Sequence, residues 1–188
     1  MHSRKRVTPW LTLSIAQGNA IQVVGLLCAA ALTWDSGRGG AHGTRWMVAS
    51  RLLAYFTEHA FCHWLVGRAF GIRFTGYGLH GTSHPRLYPP GLRFLFSRLP
   101  LLSARVDPAS LRAASPAARA AMYAAGTINT VLVGLAIPIY CLRRGVPGAR
   151  GMLLASGGVT NAFVLLSEAL RPGGDLSRAW RALREHSG

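Results

Sequence analysis

Long uncharged apolar runs alternate along this chain with short basic segments. Four runs approach the length of a membrane span, at roughly residues 10–34, 46–71, 120–142 and 151–170. About 20 apolar residues are enough for a helix to cross the hydrocarbon core of a bilayer. Trp10 and Trp34 stand at the two ends of the first run, as is typical of residues at the membrane interfaces. The pattern predicts an all-α membrane protein with about four transmembrane helices.

Composition agrees with that prediction and helps to decide between nucleic acid and membrane lipid as partners. The 188 residues are 50% hydrophobic yet carry a formal net charge of +15, which requires the charge to be segregated between the apolar runs. Such a charge is also typical of nucleic-acid binding, but arginines that flank apolar spans indicate contact with anionic lipid instead. We therefore expect membrane lipid and no nucleic acid as a partner. Residues 1–188 are predicted to form a single integral membrane domain.

The distribution of basic residues gives an expected orientation. Basic residues cluster at positions 4–6, in the partly irregular loop 72–115 between the second and third spans, and in the C-terminal tail 175–188. Four spans place all three on one side, which predicts a bacterial-type cytoplasmic membrane with both termini cytoplasmic. Arg143, Arg144 and Arg150 then lie outside, against the rule. The first run is too long for the core of a signal peptide and is interpreted as a retained span.

Two histidines in the second run carry the most informative pattern. His59 and His63 are four residues apart, a spacing that places both imidazoles on one face of a helix, as two ligands of one metal require. A pair of core histidines hydrogen-bonded to neighbouring helices is the alternative. Because ionisable groups inside a membrane span are costly and usually functional, the metal interpretation is favoured.

A third ligand is needed for a zinc site, and acidic residues are scarce. Asp175 follows the fourth span, on the side where the second span also ends, so that its carboxylate is a candidate for reaching the histidine pair. The alternative is that Asp175 caps the N-terminus of a basic amphipathic helix in the tail. Sequence spacing leaves both interpretations open.

A second histidine pair, His80 and His84, lies in a stretch rich in glycine and proline. Helical geometry cannot be assumed there, and a loop facing solvent is the favoured interpretation. A di-metal site using all four histidines, as in membrane desaturases and hydroxylases, is a distant alternative.

The order of several segments resembles the site-2 protease family of intramembrane zinc metalloproteases. Three segments carry the resemblance, which covers residues from about 46 to 183. They are His59-Ala-Phe-Cys-His63, followed by Gly-Ile-Arg-Phe and Gly76-Tyr-Gly-Leu-His-Gly, where the family has two strands; Ala124-Ala-Gly-Thr-Ile-Asn129; and Pro172-Gly-Gly-Asp175. The resemblance implies that His59, His63 and Asp175 are zinc ligands and that Asn129 lies at the rim of the site.

The departures from the family pattern bear on activity. Ala60 stands where the family has the catalytic glutamate, the general base that takes a proton from the hydrolytic water. Thr127 replaces the usual proline, and Leu176 replaces the glycine after the aspartate. Glu58 is the one nearby substitute, but positions 58 and 60 point about 160° apart on a helix. Glu58 is expected instead to pair with Arg51 or to accept a hydrogen bond beside a metal ligand.

These observations lead to one leading hypothesis and three alternatives. The leading hypothesis is a site-2-protease-like polytopic membrane protein that binds zinc and is not proteolytic, with a transmembrane helix of a partner or substrate protein as a further expected partner. The first alternative is an active protease in which Glu58 is a displaced catalytic base. The others are a di-iron membrane oxidase or hydroxylase, and a structural membrane protein whose histidines join helices.

Overall fold

The computed structural model of the protein describes residues 9–81, 94 and 97–185, and the described part is mostly helical. Its helices are α1 (Ile15–Ser36), α2 (Gly43–Ala69), α3 (Pro108–Ala113), α4 (Pro116–Arg143), α5 (Ala149–Leu170) and α6 (Asp175–Arg184). The middle of α5, Leu153–Thr160, is wound as a π-helix. The strands are β1 (Leu11–Leu13), β2 (Phe74–His80) and β3 (Leu101–Val106).

Three of the described helices, α1, α4 and α5, are long and apolar enough to cross a membrane. They correspond to the first, third and fourth predicted spans. The second predicted span is a helix of 27 residues, α2, but its charged residues keep it below the apolarity of the other three. Two of those residues, Arg51 and Glu58, are only 6% and 0% exposed. The membrane crossing of α2 therefore stays a prediction, whereas its helical structure is confirmed.

Capping residues set helix boundaries that differ from the predicted ones by several residues. The Ser14 hydroxyl accepts a hydrogen bond from the Gln17 backbone, and the Gln17 side chain accepts one from the Ser14 backbone. This reciprocal cap starts α1 at Ile15, so the residues before it, which were assigned to the first span, form strand β1. Likewise Ser115 caps α4, and Pro116 occupies its first turn, where a missing N–H costs nothing.

A small sheet departs from the all-α expectation. In the part of the chain that the structure describes, β1, β2 and β3 form an antiparallel sheet with β2 in the middle. The supposedly irregular loop 72–115 thus holds two strands and α3. Its glycines favoured a loop, but Gly76, at a φ of 141°, lets β2 approach β1 closely, and Tyr77 is completely buried.

Several sequence expectations fall outside the described residues. They concern the basic positions 4–6, residues 82–93, 95 and 96 of the loop 72–115, which include His84, and residues 186–188 of the tail.

Helix α2 is the central element that positions the histidines. It packs against α1 on one side and α4 on the other, and one core cluster joins Met47 and Ala54 of α2 to Ile137 and Cys141 of α4. Helix α6 packs on α4 through small side chains, of which Ala179 and Ala182 are buried against Ala120. Because α2 and α6 both lie on α4, the first residue of α6 reaches the C-terminal half of α2.

Candidate metal centre

The histidine pair of α2 has the predicted geometry. One helical turn separates His59 from His63, and their Nε2 atoms lie 3.2 Å apart. The two rings are nearly perpendicular, with an interplanar angle of 82° and centroids 4.8 Å apart. Both imidazoles therefore present one nitrogen to the same small volume.

Asp175 joins this pair from the far end of the described chain. Its Oδ2 atom lies 3.2 Å from Nε2 of His59 and 3.1 Å from Nε2 of His63. The residue at the N-cap of α6 is Gly174, and Asp175 is the first helical residue, so the expectation that Asp175 is itself the cap is wrong. Among the described residues, His59, His63 and Asp175 are the group able to hold a metal ion.

Contacts at the junction of α5 and α6 fix Asp175 in place. The backbone N–H of Asp175 donates to Oε2 of Glu168 at 2.6 Å, while Oε1 of Glu168 pairs with Arg171, also at 2.6 Å. A Cβ on Gly174 would lie 2.2 Å from the Glu168 carbonyl oxygen, so this approach requires glycine. Sequence reasoning missed the role of Glu168, although it is one of only six acidic residues.

The electrostatics favour an ionised Asp175. Burial alone would raise the pKa of its carboxyl group, but the contacts with His59 and His63 outweigh burial and hold that pKa well below its usual range. Asp175 is thus a carboxylate, the form in which it binds metals.

The other nitrogen of each imidazole has a partner that sets its orientation. Nδ1 of His63 donates to the carbonyl oxygen of Met122 at 2.7 Å. Nδ1 of His59 lies 3.1 Å from the hydroxyl of Thr130, whose single proton is taken by an oxygen of Glu58 or Gly126. The hydroxyl consequently accepts from His59. In both neutral imidazoles the proton is then on Nδ1, and the lone pair of Nε2 faces the site.

The three converging atoms fit a transition-metal ion. When both imidazoles are neutral, two nitrogen lone pairs and a carboxylate oxygen lie within 3.1–3.2 Å of one another, an arrangement that needs a cation, either a metal ion or a proton. Zinc bonds of about 2.0 Å at tetrahedral angles place ligand atoms about 3.3 Å apart, close to the distances found here. The same donor set also suits ferrous iron, so the geometry is compatible with either metal.

Gly126 of α4 leaves the space that the imidazoles occupy. A Cβ at this position would lie 2.4 Å from Nε2 of His63 and 2.9 Å from Cε1 of His59. Any side chain there would displace the rings. In the sequence, Gly126 was one residue of the segment 124–129, and its lack of a side chain was the only sign that it makes room for the imidazoles.

The site opens on the side of His59. The side chain of His59 is 38% exposed, whereas those of His63 and Asp175 are 15% and 17% exposed. A ligand that completes the coordination of a metal would therefore approach beside His59.

Glu58, the candidate catalytic residue, points away from that opening. It is fully buried, and its carboxylate accepts hydrogen bonds from Asn129, at 2.5 Å, and from Thr130. Asn129, expected at the rim of the site, thus holds Glu58. The expected partner Arg51 instead donates to Ser156 at 2.6 Å, and no ion pair between Arg51 and Glu58 occurs in the described structure. The other expectation, a hydrogen bond beside a metal ligand, agrees with the structure, although sequence reasoning missed Thr130.

His80 contributes to no metal group in the described part of the chain. It lies at the end of β2, where Nδ1 contacts the Gly81 carbonyl oxygen at 2.6 Å and Nε2 contacts the Ser103 hydroxyl at 2.9 Å. Both ring nitrogens are therefore engaged. Its predicted companion His84 lies outside the described residues.

Comparisons with known proteins add no family to this description. The chain matches no protein-family model, and searches of the curated proteins and of the solved structures found no significant match.

Proposed function

We propose that the chain is a site-2-protease-like membrane protein that binds one zinc ion through His59, His63 and Asp175 and does not hydrolyse peptides. The convergence of three metal-binding atoms from α2 and α6 carries the proposal. Zinc acts as a Lewis acid toward a carbonyl oxygen or a water molecule. The chain's own residues supply the ligands and their orientation, and the exposed side of His59 supplies access.

The absence of a base is the reason for proposing a protein without protease activity. Ala60 has no proton-accepting group, and Glu58 is buried with its carboxylate engaged by α4. A general base must reach the proton that it removes, and general acid–base catalysis typically contributes about 10²–10⁴-fold to a rate. The alternative with Glu58 as a displaced base is therefore disfavoured.

The proposed partner is a transmembrane helix of another protein, whose backbone would approach the metal beside His59. A carbonyl oxygen is a group that a zinc ion with an open coordination position polarises. Because the chain lacks the base that would activate a water molecule, a carbonyl that reaches the metal beside His59 would be bound and not cleaved. The partner is thus a membrane-spanning segment that is held and not cut.

The membrane arrangement proposed for this function has four spans, with α2 crossing together with α1, α4 and α5. The two charges in the middle of α2 are compatible with lipid because Arg51 and Glu58 are turned inward onto Ser156 and Asn129. Both termini then lie on the cytoplasmic side of a bacterial-type membrane. A cysteine placed at Gly40, between α1 and α2, should react with an impermeant maleimide from outside in a variant without the native cysteines. Labelling only after permeabilisation would contradict this orientation.

Metal content of the purified full chain tests the zinc site. We expect about one zinc per chain in the wild type and almost none in His59→Ala or Asp175→Ala. His80→Ala is the matched control, since His80 is also partly buried but bonds only to Gly81 and Ser103, and it should keep wild-type zinc. A wild type without zinc would overturn the proposal, and iron in its place would correct the metal.

Hydrolysis is tested separately in vesicles that contain the protein and fluorogenic single-span peptides. The wild type is expected to show no zinc-dependent cleavage. Cleavage that disappears in His59→Ala, and in a Glu58→Gln variant that still binds zinc, would establish the displaced-base protease in its place.

A further inference from the structure

The Thr130 hydroxyl connects a buried carboxylate to one of the candidate metal ligands. It contacts Glu58 on one side and Nδ1 of His59, at 3.1 Å, on the other. Thr130 is 2% exposed and Glu58 is 0% exposed, so water does not compete for these contacts. We propose that Thr130 and Glu58 are positioning residues, which fix the ring of His59 for metal binding. This inference rests on the proposed zinc site.

The rigidity of the connection is the first argument. The Thr130 hydroxyl also lies 3.0 Å from the Gly126 carbonyl oxygen of its own helix, and Asn129 holds the second carboxylate oxygen of Glu58 at 2.5 Å. Neither end of the connection is free to rotate. The ring plane of His59 is consequently set by α4, the same helix whose Gly126 makes room for that ring.

The contrast with His63 is the second argument. Nδ1 of His63 donates to a backbone carbonyl, that of Met122, whose position α4 fixes by itself. Nδ1 of His59 depends instead on a side-chain hydroxyl, that of Thr130, which Glu58 and Gly126 orient. The outer partner of a histidine ligand sets its ring orientation and tautomer, so Glu58 serves the metal by holding Thr130 and not as a base.

A hydroxyl deletion with a matched control tests the positioning role. Thr130→Val removes the bonded hydroxyl and keeps the shape of the side chain, whereas Thr130→Ser keeps the hydroxyl. Thr127→Val is the control: Thr127 is 0% exposed on the same helix, and its hydroxyl has no hydrogen-bond partner in the described structure. Zinc affinity of each full-chain variant in detergent is measured by competition with a chromogenic chelator.

The expected result is selective weakening. Thr130→Val should bind zinc about 10–100-fold more weakly, the usual effect of losing an outer hydrogen-bond partner of a ligand, while Thr130→Ser and Thr127→Val stay close to wild type. Ring ¹⁵N shifts of His59 should report loss of the single Nδ1–H tautomer in the apo Thr130→Val protein. Equal affinity of Thr130→Val and Thr127→Val would overturn the inference and leave the zinc site standing, whereas a wild type that binds no zinc would remove both.

Glu58→Gln distinguishes a role in holding Thr130 from a role as a catalytic base. The amide keeps the volume but has one acceptor oxygen, where the carboxylate oxygens of Glu58 accept from both Asn129 and Thr130. One of the two contacts is therefore lost, and zinc affinity should fall although Thr130 is intact. If Glu58 were only a catalytic base, the same substitution would leave zinc affinity unchanged. Glu185→Gln is the control, because Glu185 is 59% exposed and pairs with Arg119 at the far end of α6. Unchanged affinity in Glu58→Gln refutes the role of Glu58 in holding Thr130 even where Thr130→Val does not fold.

Discussion

Gly126→Ala is the substitution that tests the geometry of the centre most directly, because it adds one methyl group in the middle of it. The new Cβ would lie 2.4 Å from Nε2 and 2.8 Å from Cε1 of His63, and 2.9 Å from Cε1 of His59. Neither ring can rotate aside freely, since Met122 and Thr130 hold their Nδ1 atoms. The helices or the rings must therefore move.

The size of that movement follows from van der Waals contact. Non-bonded heavy atoms settle at about 3.5 Å or more, so Nε2 of His63 must retreat by about 1 Å from its 2.4 Å position. Metal–ligand bonds tolerate deviations of only about 0.2 Å. We therefore expect Gly126→Ala to weaken zinc binding by more than the roughly 100-fold that loss of an outer hydrogen-bond partner costs.

The assay compares two glycine-to-alanine variants of helical positions. Gly151 of α5 is the matched control, because a Cβ there meets nothing within 4 Å. Gly151→Ala should keep wild-type zinc and gain about 0.4–1 kcal/mol of stability. Circular dichroism verifies that both variants keep their helices, and chelator competition gives the affinities. If folded Gly126→Ala binds zinc as tightly as Gly151→Ala does, the assignment of this space to the metal centre is refuted.

The remaining experiments distinguish effects on zinc binding from effects on the stability of the fold. Gly174→Ala should lower zinc affinity without direct contact with the ion, because its Cβ would lie 2.2 Å from the Glu168 carbonyl oxygen and shift the start of α6; normal zinc affinity would contradict this. Gly18→Ala should lower the free energy of unfolding by about 1–3 kcal/mol and leave zinc binding intact, because its Cβ would lie 2.2 Å from the Tyr77 ring; this is measured by denaturant unfolding and zinc titration. Added zinc at 1,000 times its Kd should raise unfolding free energy by about 4 kcal/mol in the wild type and not in His59→Ala, as thermal unfolding would reveal.

The three residues of the candidate metal centre were predictable from sequence because each left a local signal. His59 and His63 have helical spacing inside an apolar run, and Asp175 is one of six acidic residues in a chain of 188. The sequence could not decide between a ligand and a helix cap for Asp175, since both suit an aspartate before a basic amphipathic stretch. Only the packing of α6 on α4 brings its carboxylate to the imidazoles.

Periodicity and composition did not predict the sheet or the partners of the site residues, for a different physical reason, although the family resemblance implied strands after α2. Strand β2 contains Gly76 and Gly78, which favour turns when only neighbouring residues are considered, and its pairing with β1 joins residues more than 60 positions apart. Likewise, the sequences around Thr130 and Glu168 are typical of helices and give no sign of a special role. Their roles arise from contacts across 71 and 7 residues, respectively, which composition and periodicity do not encode.

Helix α6 provides a last prediction, because its attachment depends unusually on the metal centre. Its buried side chains are Ala179 and Ala182, and burying a methyl group contributes only about 0.8 kcal/mol. The ion pair of Glu185 with Arg119 is solvent-exposed on the Glu185 side, at 59%, and such pairs contribute about 0–1 kcal/mol. A bound zinc, by contrast, can contribute on the order of 10 kcal/mol to the structure that holds it. Zinc removal should therefore accelerate amide hydrogen exchange throughout α6 while α4 keeps its protection, and equal protection of α6 with and without zinc would contradict this account.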